Sequence, residues 1–92
     1  MIKDRLIAFF NETGTTSKEM EKLTGVDREK WNAIRAGRRR VNEDDIAGFN
    51  EGFPQFAYWL TTGKTIPEAG QISPEIEMAR KENNLKIGQV SR

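Results

Sequence analysis

The chain contains no cysteine and no histidine. Without thiols it has neither a disulfide framework nor a thiolate metal site, and zinc would depend on carboxylates alone, an unusual ligand set. A Ser-His-Asp or Cys-His nucleophilic set is excluded by composition. Carboxylate or lysine chemistry is all that remains for an enzyme, and no paired acids converge in the helical pattern described below. The expectation is therefore a protein that is not an enzyme and that takes no cofactor, no metal and no small-molecule substrate. Long apolar runs are also missing: nothing approaches the roughly 20 residues a membrane-spanning helix needs. The apolar residues near the N-terminus are interrupted by Asp4 and Arg5, with no small-residue cleavage site after them, which is not a secretory signal. A cytoplasmic, nucleoid-associated protein with no membrane partner is expected.

An overall charge of either sign is lacking too, since 15 Lys and Arg against 14 Asp and Glu leave +1. The distribution is uneven. Residues 1–26 balance to zero, residues 27–40 carry six positive and two negative side chains for +4, and residues 41–92 carry five positive and eight negative for −3. A local basic patch on a near-neutral chain suits a polyanion-binding face, although a solvated charged loop has the same composition. Ninety-two residues bound one small domain.

The apolar spacing predicts an all-α protein. Ile2, Leu6, Phe9 and Phe10 fall on one stripe of a helix over residues 2–12, which Gly14 ends. Thr16 and Glu19 form a T-x-x-E capping box, so a second helix begins near Ser17, with Met20 and Leu23 as its inward face. Gly25 supplies the positive φ of a sharp turn, and Asp27 caps a third helix running to about Ala36, with Trp31 and Ile34 inward. Gly37 ends it. Asn42 or Glu43 starts a fourth helix, and Glu43, Asp44 and Asp45 are read as a capping cluster and not as a metal site. A fifth helix spans residues 54–62 and carries Phe56, Tyr58, Trp59 and Leu60. Residues 64–74 are rich in turn formers and predict a mostly extended arm. Ser73 and Pro74 cap a possible short helix over residues 75–83, with fraying from Lys86. The domain reading is residues 1–63 for the helical body and 64–92 for a C-terminal arm, partly helical or flexible.

The third helix carries the chemistry. With Trp31 and Ile34 inward, Arg28, Glu29 and Asn32 lie outward, with Ala33 and Ala36 on the flank. Arg pairs two-pronged with guanine and Asn with adenine. Glu accepts from cytosine, and Ala contacts a thymine methyl. The run Gly37-Arg38-Arg39-Arg40 follows, a phosphate-holding rather than base-reading composition. The bland alternative is an ordinary solvated helix face, on which Arg28 and Asn32 are simply i,i+4 neighbours.

Residues 17–36 resemble the helix-turn-helix of the lambda-repressor-like (Cro or XRE-type) regulators. That pattern places hydrophobic residues at its fourth, tenth, fifteenth and eighteenth positions and Gly at its ninth, here Met20, Val26, Trp31, Ile34 and Gly25. The resemblance implies a five-helix DNA-binding domain over residues 1–63. It implies base-reading roles for Arg28, Glu29, Asn32 and Ala33. It also implies DNA-backbone roles for Ser17 and Lys18 and for Arg38, Arg39 and Arg40. In this family the fifth helix often supplies a two-fold contact, so Tyr58 and Trp59 are candidates for a dimer interface, with core packing as the other reading. Three positions depart from the pattern. Glu21 stands where a small residue is usual, so its stem must bend to solvent or the helix crossing must open; Thr24 replaces an apolar residue, and Ser17 a Gln. The function so implied is a homodimeric transcription regulator, a repressor in the leading version, on a palindromic double-stranded DNA operator. A protein-interaction or antitoxin-like adaptor that uses the C-terminal arm is the alternative.

Overall fold

The structure is a computed structural model that describes residues 1–90, with 84–90 described as backbone. Among the described residues six α-helices follow in order: α1 (Ile2–Thr13), α2 (Ser17–Thr24), α3 (Arg28–Arg35), α4 (Glu43–Gly52), α5 (Ala57–Thr62) and α6 (Pro74–Val90), with 3₁₀ turns at Pro54–Phe56 and Pro67–Ala69. Among the described residues there is no β-strand, only an isolated antiparallel bridge between Ile66 and Gln71.

Local signals set most boundaries. Thr16 and Glu19 form a reciprocal capping box on α2, and Asn42 and Asp45 form a second one on α4. Gly25 closes α2 at φ 75°, a left-handed conformation that glycine adopts without a Cβ penalty. Two residues later the Asp27 carboxylate accepts the Glu29 N–H and starts α3. Pro54 opens a 3₁₀ turn rather than α-helix, so the regular part of the fifth helix begins only at Ala57.

The core joins Leu6, Phe9 and Phe10 of α1 to Met20, Trp31, Ile34, Phe49, Phe56, Leu60 and Ile72. Phe9 is its centre, edge-to-face with Phe49 at 5.1 Å and Phe53 at 4.9 Å between ring centroids. Each fully buried side chain of this kind contributes roughly 1.5–3 kcal/mol against exposure. Arg5 ties α1 to the end of α5, donating from Nε to the Leu60 carbonyl at 2.7 Å and from Nη2 to that of Thr61 at 3.1 Å.

Helix α2 corrects one expectation. Leu23 is 51% exposed, and the buried partner of Met20 is Thr24, a full four residues on. The close approach of α4 explains the difference. A Cβ at Gly52 would lie 2.7 Å from the Leu23 carbonyl oxygen, and one at Gly48 would lie 2.9 Å from that of Thr24. The backbones nearly touch there, which leaves no room for a leucine. Thr24 fills the gap with a polar group that is satisfied: its hydroxyl donates to the Met20 carbonyl at 2.6 Å and accepts the indole N–H of buried Trp31 at 3.2 Å.

The stretch expected to be extended instead folds back on the body. Gln71 accepts the Tyr58 N–H and donates to the Pro54 carbonyl, while Ile72 donates its own N–H to the Gln55 carbonyl. Ile72, Ser73 and Pro74 are buried, and α6 packs along α1. Ser73 accepts the Ile76 N–H as the helix cap. The helix so started is longer than expected and continues past Lys86 to Val90; of the C-terminal residues expected to fray, 91 and 92 lie outside the described residues.

Candidate nucleic-acid interface

Helices α2 and α3 pack on each other through the turn at Gly25. On α3 the spacing of Trp31 and Ile34, both fully buried, fixes the rotation of the helix. Arg28, Glu29, Asn32 and Lys30 consequently lie exposed, and Ala33 is half-buried at the edge. The four residues expected to read bases therefore share one helix side, three of them open to solvent.

Arg28 is not a free side chain. Glu21, on the preceding helix, takes its Nε at 3.0 Å and its Nη2 at 2.7 Å on one carboxylate oxygen, and accepts the Arg28 backbone N–H at 3.0 Å on the other. The stem of Glu21 thus bends outward, as expected from its size, but its head returns to cap α3. Hydrogen bonding from the Arg28 side chain, and then from its backbone, holds the Glu21 carboxyl below its ordinary pKa, and Glu21 in turn raises that of Arg28. The signal for this pair was an acid late in one helix and a guanidinium at the first position of the next. Neither residue type announces the partner without knowledge of the crossing.

The backbone-contact candidates divide. Lys18, Arg38 and Arg40 are exposed. Ser17 is 7% exposed, and its hydroxyl faces the Arg35 guanidinium at 3.4 Å, so the side chain is turned inward. Arg35 itself lies over the Phe10 ring, 4.5 Å from the centroid. Arg39 is half-buried and less open than its neighbours: its two terminal guanidinium nitrogens face Asp45 at 3.4 Å, and Asp45 is 1% exposed. Of the three acids read as a capping cluster, Asp45 is the one that caps; it also carries this ion pair. Lys3 comes close to the loop that holds the arginines, since a Cβ at Gly37 would meet its Nζ at 3.9 Å.

Tyr58 and Trp59, the dimer candidates, are half-buried on α5. The folded-back arm reaches both. Tyr58 N–H is bonded to Gln71, and Trp59 lines a cleft of about 280 Å³ with Ala8, Glu12, Ser73, Pro74 and Glu75. Among the described residues no group of three or more acids is placed to hold a metal ion, and no helix is long and apolar enough to cross a membrane.

The fold and this site define a small all-helical body that anchors one polar helix side beside a basic loop. No protein-family model matches the chain, nor does any curated protein. Among solved structures it is similar to that of Pf6r from the filamentous phage Pf6 of Pseudomonas aeruginosa PA01. The TM-score is 0.71 at 24% sequence identity, covering 90% of this chain and 96% of that one. The likeness is one of fold.

Proposed function

We propose that this chain is a sequence-specific DNA-binding transcription regulator of the lambda-repressor-like type, a repressor that acts by occupying an operator. The observation that carries the proposal is the two-sidedness of α3: Trp31 and Ile34 are buried, while Arg28, Glu29 and Asn32 stand exposed beside open Arg38 and Arg40. A helix-turn-helix docks by laying the second helix in the major groove with its N-terminal residues deepest. In that pose Arg28, Glu29, Asn32 and Ala33 meet base edges, and Lys18, Arg38 and Arg40 hold phosphates. The reaction is binding alone, and a cytoplasmic, nucleoid-associated site of action goes with it.

One recognition helix of this size discriminates little, whereas two about 34–36 Å apart read a palindrome. The open parts of Tyr58 and Trp59 are the two-fold contact in this proposal. Selection of bound sequences from random duplexes, with stoichiometry measured on the winner, tests it. A palindromic consensus bound by two chains is the expected result. Failure to enrich any sequence overturns the proposal.

A further inference from the structure

We infer that Glu21 is a positioning residue for specificity: it grips one edge of the Arg28 guanidinium and leaves the adjacent edge turned toward guanine. The inference rests on the proposed DNA-reading role of α3. A guanidinium carries five N–H donors in a rigid planar fork. Glu21 Oε1 occupies the edge formed by Nε and Nη2. That leaves the Nη1–Nη2 edge, and Nη1 has no partner among the described residues. Two parallel N–H groups on that edge match the O6 and N7 acceptors of guanine.

The second carboxylate oxygen makes the grip directional. Because Oε2 is bonded to the Arg28 backbone N–H, the carboxylate is fixed to the start of α3 and not merely to the mobile end of a side chain. Arg28 is thus ordered before contact, and ordering a long side chain on binding is a cost that pre-organisation removes. The same carboxylate places a negative charge beside a helix that approaches phosphates, which weakens sequence-independent attraction. Glu21 therefore lowers general affinity and raises discrimination, two opposite effects that a residue serving only to hold the fold would not produce.

The test uses the full chain with Glu21→Ala, Arg28→Ala and the double variant. Each is titrated against the selected duplex, its single-base-pair variants and a random duplex. Glu21→Ala is expected to reduce preference at the one base pair read by Arg28 about five- to tenfold, the lower part of the range for a two-pronged contact. It is expected to bind random DNA about twofold more tightly at low salt, with the gain fading as salt rises. In the Arg28→Ala background the same change is expected to alter no preference. Glu21→Gln, which keeps an oxygen for the Arg28 amide, serves where alanine unfolds the chain, and the same selective drop is expected. Unchanged preference in a folded variant overturns the inference, and so does an equal loss at every base pair. A wild-type protein that selects no sequence removes the DNA reading itself, and that is seen before any variant is made.

Discussion

Arg28 and Arg39 bracket the basic segment, and each meets a carboxylate, but the two pairs sit in opposite surroundings. Arg28 and Glu21 are 46% and 35% exposed at 2.7 Å, whereas Arg39 and Asp45 are 23% and 1% exposed at 3.4 Å. The tighter geometry is at the surface, and the deeper burial belongs to the looser pair. A buried pair with one partner removed leaves a charge without compensation, while an exposed pair dissolves into water at little cost. Arg39 with Asp45 therefore ties the loop after α3 to α4, and Arg28 with Glu21, in the proposed reading, arranges an exposed group for a partner. A guanidinium on a carboxylate thus serves stability in one place and, in the proposed reading, recognition in the other.

The most direct way to break this comparison is Asp45→Ala. It removes the Asp45 half of the capping box of α4, leaving Asn42 to accept the backbone N–H there, and at the same time strands Arg39. The expected loss is about 3 kcal/mol, the low end for breaking a buried pair because Arg39 keeps some water contact. Urea unfolding at neutral pH measures it. A loss below about 1 kcal/mol would show that the joint does not depend on this pair.

Arg28→Ala probes the other side. The melting transition is expected to stay close to wild type, while affinity for the selected duplex falls roughly five- to a hundredfold and random-sequence binding changes little. Equal losses on selected and random DNA would make Arg28 a phosphate contact and erase the distinction between the two arginines.

How far these roles could be read beforehand follows from the range of each interaction along the chain. Thr16 with Glu19, Gly25 and Asp27 were legible, because caps and turns are settled within four residues. The inward pair Trp31 and Ile34 was legible from helical period, and with it the exposed side of α3. Helical period alone places Leu23 inward, because spacings of three and four both face inward on a short helix; the choice of Thr24 is made by Gly48 and Gly52 on a helix that lies far along the sequence. Thr24 and Trp31, and Glu21 and Arg28, are pairs across the α2–α3 crossing, while Arg39 and Asp45 pair the loop after α3 with the first turn of α4. Composition marks each member as polar or basic but says nothing of who faces whom. The folded-back path of the arm is hidden for the same reason, since burial of Ile72 depends on Gln71 bridging Tyr58 and Pro54.

A smaller effect sharpens the comparison within the arginine run. Arg38→Ala and Arg40→Ala are each expected to lower the slope of log affinity against log salt by about 0.9, as one lost phosphate contact does. Arg39→Ala is expected to lower it by less and to cost folding stability instead, because its charge is already committed to Asp45. Equal slopes for all three would show that Arg39 leaves Asp45 when DNA arrives.

The smallest expected effect is on pH. The Glu21 carboxyl is held below its ordinary value of 4.5 by Arg28, and that of Glu19 below 4.5 by Thr16, backbone first and then hydroxyl. A carboxylate depressed in the folded state binds fewer protons there than in the unfolded chain, so stability rises with pH across the interval between its folded and unfolded values. The contribution is full above about 4.5, the unfolded value, and is lost as pH falls through the depressed folded values. Because glutamine does not titrate, wild type and Glu21→Gln are expected to differ by a constant amount between neutral pH and about 5, with the gap narrowing at more acid pH. Urea unfolding of both proteins down the pH scale measures this. A gap that stayed constant into strong acid would mean that the Glu21 charge is not what holds Arg28. Glu21 would then add nothing through its charge, and the surface pair would be a helix cap that happens to lie beside an arginine.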